Sequence, residues 1–372
     1  MAVKKFQFVD KARKWTLKES AFSDFNLLVG VSGVGKTRIL DALRSVRQAG
    51  ISDTREVNGC QWTLELVYEG MKFSWSAEIS LLTAKARALF LGSDEQHERH
   101  DPQMPHFVRE RIVRDDQTVL VDRTLDKFQF GNISLPKLKN TESAITLLAD
   151  EERIAPLNRA LRQLMFSSSP YESAILLRDP AELGHILKQY QTLDSLREAA
   201  ALPILLKAYV LQQNHPQAFQ RIQDHYCDIF DTVYELKLAK LVDLDPSFLH
   251  NGSAPATNYL TVGLKEQGVE GWITNDISSG MRRTLIHLME LSLAPAGSVI
   301  AIDEIENSLG VNCLDQIVEQ MLRRSKDVQF ILTSHHPYVI NNVPSKYWKI
   351  VTRQGSIVTV LAHTGDSHGD FL

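Results

Sequence analysis

Residues 30–37, with the sequence GVSGVGKT, have the composition and spacing of a phosphate-binding loop. Glycines let backbone N–H groups approach phosphates closely, a lysine reaches the β- and γ-phosphates, and a threonine hydroxyl can bind Mg²⁺. An apolar strand over Phe25–Val29 precedes the loop, and apolar residues at helical spacing follow it, as such a loop requires. The residues predicted to contact nucleotide here are Gly30, Ser32, Gly33, Val34, Gly35, Lys36, Thr37 and Arg38.

Two carboxylates follow an apolar segment much later in the chain. Val299–Ile302 reads as a buried strand, and Asp303 and Glu304 come directly after it. In a nucleotide site, Asp303 would hold Mg²⁺, together with Thr37, and Glu304 would polarise the attacking water. A buried strand that ends in acidic residues is common, so this pattern gains meaning only beside the phosphate loop.

Two further motifs have polar residues at element ends. Ser278 and Gly280 precede an apolar helix, where a hydroxyl and free N–H groups can bind a phosphate, although the motif taken alone favours a plain serine N-cap. His335 and His336 follow a strand near residue 332.

These four motifs occur in the order that ABC-type ATPases show, and residues 277–337 resemble the RecF, SMC and OLD group, often described as AAA15- or AAA21-like. The matching stretches are ISSGM, AIDEIENSL and TSHHPYVI. The resemblance implies ATP and Mg²⁺ binding, with Lys36 and Glu304 in catalysis and His335 as the switch histidine. It also implies a homodimer or higher homo-oligomer, in which Ser278 and Gly280 cap the ATP held by the other copy. His336 is the alternative switch histidine.

The chain departs from the group at three places. Glu142 occupies the expected position of the Q-loop glutamine, and residues 309–312 replace the usual D-loop residues. The adenine-stacking residue has no clear match, so the candidates are the aromatic side chains near the N-terminus: Phe6, Phe8 and Trp15.

The patterns predict an α/β protein with an ABC-ATPase (P-loop NTPase) core, an antiparallel β lobe and a helical insertion. Short alternating runs in residues 60–90 and 106–135 favour antiparallel strands. We expect residues 1–140 to form the N-terminal half of the core with the lobe, 141–255 a mainly helical insertion, and 256–372 the C-terminal half. Prolines within the insertion exclude long coiled-coil arms.

Composition is that of an ordinary folded chain, with 44% hydrophobic and 23% charged residues among 372. The three scattered cysteines favour reduced thiols, and neither a signal peptide nor a membrane span is apparent, so a cytoplasmic location is expected. A net charge of −4 argues against coating nucleic acid by overall charge.

Local clusters leave other possibilities open. Three histidines could bind a metal but fit a solvated loop better: His97, His100 and His106. Two basic groups could contact DNA or could lie on ordinary solvated surfaces: Arg109, Arg111 and Arg114, and Arg323, Arg324 and Lys326.

The leading functional hypothesis is an ATPase whose nucleotide-driven dimerisation controls a separately encoded effector, a nuclease or toxin, in anti-phage defence. OLD-type relatives carry a nuclease domain after the ATPase, and we expect none between His335 and Leu372. A RecF-like DNA-repair ATPase and an ATP-stabilised scaffold with slow turnover are the alternatives. A membrane transporter subunit is disfavoured, because its Ser-Gly motif lies much closer to the phosphate loop.

Overall fold

The computed structural model describes residues 1–52, 54–80, 105–115, 117–167, 174–177, 180–199, 202–247 and 258–363. Their strands are β1 (Ala2–Asp10), β2 (Trp15–Ala21), β3 (Phe25–Val29), β4 (Cys60–Tyr68), β5 (Met71–Ile79), β6 (Phe107–Arg114), β7 (Thr118–Thr124), β8 (Phe128–Phe130), β9 (Ile133–Ser134), β10 (Leu164–Phe166), β11 (Ala174–Leu176), β12 (Val233–Lys240), β13 (Tyr259–Glu266), β14 (Val299–Ile302), β15 (Gln329–Thr333), β16 (Trp348–Gln354) and β17 (Ile357–Ala362). Fourteen of these strands form one sheet in the order β10-β14-β15-β3-β16-β17-β2-β1-β4-β5-β6-β7-β8-β9, and three form a second sheet in the order β11-β13-β12.

Helices cover both faces of the large sheet. They are α1 (Lys36–Ile51), α2 (Ala144–Leu147), α3 (Ala155–Arg162), α4 (Pro180–Gln189), α5 (Leu193–Glu198), α6 (Ile204–Asn214), α7 (Pro216–Ile229), α8 (Leu241–Leu244), α9 (Ser279–Leu293), α10 (Val311–Arg324) and α11 (Pro337–Asn342), with short 3₁₀ turns at Arg55–Val57 and Ser345–Tyr347.

The centre of the large sheet is parallel. β10, β14, β15, β3 and β16 pair in parallel in that order, so their carboxyl ends lie at one edge. Successive side chains of a strand point to opposite faces. Accordingly, Leu28 and Ile331 belong to one hydrophobic core, and Leu27 and Leu332 belong to the other. Burial on both faces explains why β10 and β14 are apolar throughout and why β3 and β15 are mostly apolar.

The other end of the sheet is antiparallel, as the alternating runs predict. In β4, residues Trp62, Leu64 and Leu66 are buried, while Thr63 and Glu65 between them are partly exposed. The buried face packs with α1 and α3 into a single core. The predicted α/β class, with a phosphate-loop core and an antiparallel lobe, is therefore confirmed.

Part of the stretch assigned to the helical insertion lies in the core instead. β10 pairs in parallel with β14, and α3 packs against α1. A three-residue strand is too short to show a period, and helical spacing does not reveal which core a helix covers. Residues 141–166 thus help build the part of the fold that contains the phosphate loop.

The rest of that stretch combines helices with a sheet. The helix α7 ends at Ile229, and Val233 begins β12, which pairs with β13 in a stretch predicted to be mainly helical. α6 and α7 pack against α9, which brings the insertion next to the Ser-x-Gly motif.

Candidate functional site

The phosphate loop connects β3 to α1. Gly33 and Gly35 have φ of 78° and 112°, a region that favours glycine. A Cβ on Gly30 would lie 2.5 Å from the carbonyl oxygen of Val351 in β16, so that position has no room for a side chain. Ser32 and Gly33 are exposed and Val34 is buried beneath them. The loop therefore presents its backbone outward at the N-terminus of a sixteen-residue helix.

Lys36 folds back onto the same loop. Its Nζ donates to the carbonyl oxygen of Gly30 at 2.6 Å and approaches that of Val31 at 3.4 Å. Burial lowers the pKa of Lys36, and the nearby carboxylates of Glu306, Asp303 and Glu304 oppose that shift. The hydrogen bonds of the ammonium group to these neutral carbonyls suit exchange for phosphate oxygens.

Asp303 lies at the carboxyl end of β14, beside the phosphate loop. Its Oδ1 accepts hydrogen bonds from Thr37 Oγ1 at 3.1 Å and from Thr333 Oγ1 at 2.6 Å. A hydroxyl and a carboxylate oxygen are ligands that Mg²⁺ prefers. The two residues predicted to hold the ion, 266 positions apart in the chain, therefore meet at one point.

Glu304 has an unusual backbone. Its φ of 46° is rare for a residue with a side chain, and its N–H donates to Thr333 Oγ1 at 2.7 Å. Strained residues of this kind concentrate at functional sites. The side chain of Glu304 is 46% exposed, which leaves its carboxylate free to meet a water molecule.

His335 contacts two carboxylates. Its Nδ1 lies 3.1 Å from Glu306 Oε1 and 3.9 Å from Glu304 Oε1, and its N–H donates to Glu306 Oε1 at 2.9 Å. His336 instead caps α11, because its Nδ1 accepts the N–H of Tyr338 at 3.2 Å. The geometry thus favours His335 over His336 as the histidine that faces the site.

Three contributing residues were not identified from the sequence: Thr333, Glu306 and Arg282. Thr333 and Glu306 each bond to site residues that lie 29 or 30 positions away in the chain. Arg282 fastens the loop before α9, since its guanidinium donates to the carbonyls of Ile277, Thr274 and Asn275 at 3.0–3.1 Å. The only sequence feature that could have indicated a role for Glu306 is its position two residues after Glu304.

Ser278 and Gly280 lie at the exposed N-terminus of α9. Ser278 is the N-cap, and its hydroxyl accepts the N–H of Met281 at 3.2 Å. A Cβ on Gly280 would lie 2.7 Å from the carbonyl oxygen of Ser308, so the helix begins in close contact with the segment after Glu304. The Ser278 hydroxyl thus bonds to its own helix, and the N-terminus of α9 lies at the protein surface.

The three aromatic candidates for stacking on adenine are buried. Phe6, Phe8 and Trp15 are at most 4% exposed and pack against one another in the core. Arg38 places its guanidinium 4.9 Å from the centre of the Trp15 ring. An adenine base therefore has no access to these three faces.

At the Q-loop and D-loop positions, Glu142 and Gly310 make local structural contacts. Glu142 pairs with Lys139 at 2.9 Å, and its backbone carbonyl accepts from Arg123. Gly310 is the N-cap of α10.

The remaining clusters offer little chemistry. Arg324 donates to the carbonyls of Leu291 and Ala294, whereas Arg323 is exposed and pairs with Glu319 on the surface. His106 bonds to Ser80, whereas His97 and His100 lie outside the described residues. In the described ranges, no group of three or more His, Cys, Asp or Glu could hold a metal.

A β-bulge between Ile112 and Val113 breaks the alternation of the other basic group on β6, Arg109, Arg111 and Arg114. Arg111 lines a shallow groove with Arg153.

This fold and loop define a protein of the P-loop NTPase class. Residues 25–341 match the family described as "AAA domain, putative AbiEii toxin, Type IV TA system", and the chain belongs to that family.

Similar solved structures are SMC heads. One is an Smc head bound to the C-winged helix domain of ScpA, with 12% identity, 98% of each chain covered and a TM-score of 0.47. Another is the SMC head domain from Thermotoga maritima, with 12% identity, 98% of this chain and 100% of that chain covered, and a TM-score of 0.44. A third is an Smc head domain with an extended coiled coil bound to the C-terminal domain of ScpA derived from Pyrococcus furiosus, with 14% identity, 96% and 95% covered, and a TM-score of 0.46.

No curated protein matches the chain. Among the helices of the described ranges, none has the length and apolar character needed to span a bilayer.

Proposed function

We propose that this chain hydrolyses ATP at sites formed between two copies of itself. The observation that carries the proposal is the meeting of Thr37 and Asp303, with Oγ1 and Oδ1 3.1 Å apart at the end of a glycine-rich loop. Mg²⁺ bound there supplies charge that offsets the phosphates. Membership of an AAA family agrees with this chemistry.

The phosphate loop binds ATP through Lys36 and through its backbone N–H groups. Lys36 releases the carbonyls of Gly30 and Val31 and donates to the β- and γ-phosphates instead. The backbone N–H groups at the start of α1 bind phosphate oxygens, and the positive end of the helix favours their charge.

Glu304 polarises the attacking water. Thr333 holds the Glu304 N–H, which fixes the carboxylate relative to Asp303. His335 lies between Glu304 and Glu306 and is positioned to sense the γ-phosphate. The carboxylate then accepts a proton from the water as it attacks.

The second copy completes each site. The exposed N-terminus of α9 offers the Ser278 hydroxyl and backbone donors to the ATP of the partner. Gly280 contacts Ser308, a few residues beyond Glu304, so this end of the helix is tied to the segment that follows the catalytic carboxylate.

The closed dimer controls a separately encoded effector, a nuclease or toxin. The family description names a toxin and a type IV toxin–antitoxin system, which supports a link between this ATPase and a toxic effector in defence. The insertion packs on α9 through α6 and α7 and is therefore placed to transmit dimer closure to a docked protein.

The test is Glu304→Gln, with the exposed Glu319→Gln as control. Loss of the base should lower phosphate release by at least about a hundredfold while ATP binding persists. The variant should also accumulate as an ATP-bound dimer in size-exclusion chromatography. Unchanged turnover in Glu304→Gln would remove this residue from the mechanism.

A further inference from the structure

A cleft of about 440 Å³ lies among α1, β10, α6 and α9. Four cationic side chains line it, Arg44, Arg47, Arg162 and Lys207, and the only lining carboxylate among the described residues is Glu290. Glu290 is itself engaged, because its Oε2 accepts from Ser167 Oγ at 2.8 Å and lies 3.3 Å from His287 Nδ1. The cleft therefore carries an excess of positive charge.

Lys207 is the most constrained of these cations. It is 6% exposed, and its Nζ donates to the carbonyl oxygen of Arg197 at 3.0 Å. Among the described residues, no carboxylate lies within salt-bridge distance. Burial lowers the pKa of Lys207 to about 8, with no opposing charge to restore it. Buried cations normally have an anionic partner, so this one lacks the group that it would be expected to have.

Two arginines on α1 also line the cleft, and of these Arg44 is paired with Asp41 at 3.2 Å. Arg47 is half-buried and donates to the Leu161 carbonyl, and its pKa is lowered by burial and then by the neighbouring charge of Arg162. Arg44 lies over the ring of Phe166 at 4.9 Å. Like charges have thus been gathered around a cavity instead of being separated, an arrangement that an anion would relieve.

We propose that this cleft binds a phosphorylated small molecule of nucleotide size, at a site separate from the phosphate loop. Arginine and lysine are the side chains that recognise phosphate. The apolar wall of Met165, Phe166 and Leu293 suits a base or another flat apolar group. The N-terminus of α6, which has no side-chain cap, also lies at the cleft and adds a favourable dipole.

The dimensions favour a small ligand over a macromolecule. A volume of about 440 Å³ is within the usual range for small-molecule pockets. Nucleic-acid backbones are bound by exposed basic surfaces, whereas the key cation here is buried.

The cleft adjoins both helices that carry nucleotide motifs. α1 begins at the phosphate loop with Lys36 and bears Arg44 and Arg47 in later turns, and α9 begins after Ser278 and bears Glu290 near its end. A ligand held there contacts both helices at once. The binding claim itself does not depend on ATP hydrolysis.

Calorimetry with ADP and inorganic pyrophosphate tests the proposal directly. Lys36→Ala removes the ammonium group of the phosphate loop and so weakens binding there, and one equivalent of either probe per chain should still bind in the cleft. In that background, Lys207→Met and Arg47→Gln should each weaken binding at least tenfold. The matched control is Arg159→Gln, which removes an exposed arginine on α3 that pairs with Glu69 outside the cleft.

Each variant is first checked for a single cooperative thermal transition at or above the temperature of its parent, so that loss of binding is not loss of folding. Two independent substitutions then report on the site. Absence of binding in Lys36→Ala, or affinities that neither cleft substitution alters, would overturn the proposal. Binding of a polyglutamate peptide without pyrophosphate binding would also overturn it, in favour of an acidic protein segment.

Discussion

Lys207→Met should stabilise the ligand-free protein at neutral pH. The pKa of Lys207 falls from 10.5 to about 8 on folding because burial disfavours the charged form. Each unit of difference between the pKa values of the unfolded and folded states is worth about 1.4 kcal/mol. The charged side chain therefore opposes folding by up to about 3 kcal/mol at pH 7. Methionine has a similar shape and no charge to desolvate.

The stabilising effect of Lys207→Met should decrease as the pH rises. A lysine whose pKa is lowered by folding binds fewer protons in the folded state than in the unfolded state between about pH 8 and pH 10.5. The wild type therefore gains stability as pH rises through that window. The advantage of Lys207→Met should fall to about 1 kcal/mol at pH 10, because the folded wild type has already lost the proton.

Urea unfolding at pH 7 and pH 10, in the absence of phosphate, measures this difference. Comparing wild type with variant at each pH cancels the titration of every other group. Lys188→Met, at an exposed position of α4, is the control and should change the free energy of unfolding little at either pH. Equal destabilisation by Lys207→Met at both pH values would refute the reasoning.

Two further predictions concern the nucleotide site. Gly280→Ala places a Cβ 2.7 Å from the Ser308 carbonyl, so it should lower the free energy of unfolding by about 1–3 kcal/mol and reduce phosphate release. Gly184→Ala, where nothing lies within 4 Å, is its control in urea unfolding, and an equal effect of both would contradict the contact argument. Glu306→Ala should leave ATP affinity nearly unchanged but lower kcat at least tenfold, because His335 loses its anchor. Wild-type kcat in that variant, measured by phosphate release, would remove Glu306 from the site.

The nucleotide motifs are readable from the sequence because their chemistry is local. Gly33 and Gly35 are needed by the backbone of the loop itself, and Asp303 follows its strand directly. The parallel order of β14, β15 and β3 then brings the strand ends together. Strand and helix bounds near these motifs follow from the same local patterns.

Other features depend on contacts that no local pattern encodes. Thr333 bonds to both Asp303 and the Glu304 N–H, but its role appears only once β15 lies beside β14. β10 joins the core through three residues, and the basic cleft combines cations from three helices. Phe6 and Phe8 are two residues apart in a strand, a spacing that already favoured a shared buried face over exposed stacking surfaces.

The central claim, that each ATP site is shared between two chains, is tested most directly by mixing two inactive variants. Lys36→Ala lacks the phosphate-loop charge, and Ser278→Arg blocks the exposed end of α9. A heterodimer of the two should contain one intact site and recover ATP hydrolysis, up to about half the activity of the wild-type dimer. Tagged chains confirm that heterodimers form. Heterodimers as inactive as either variant alone would contradict the shared site.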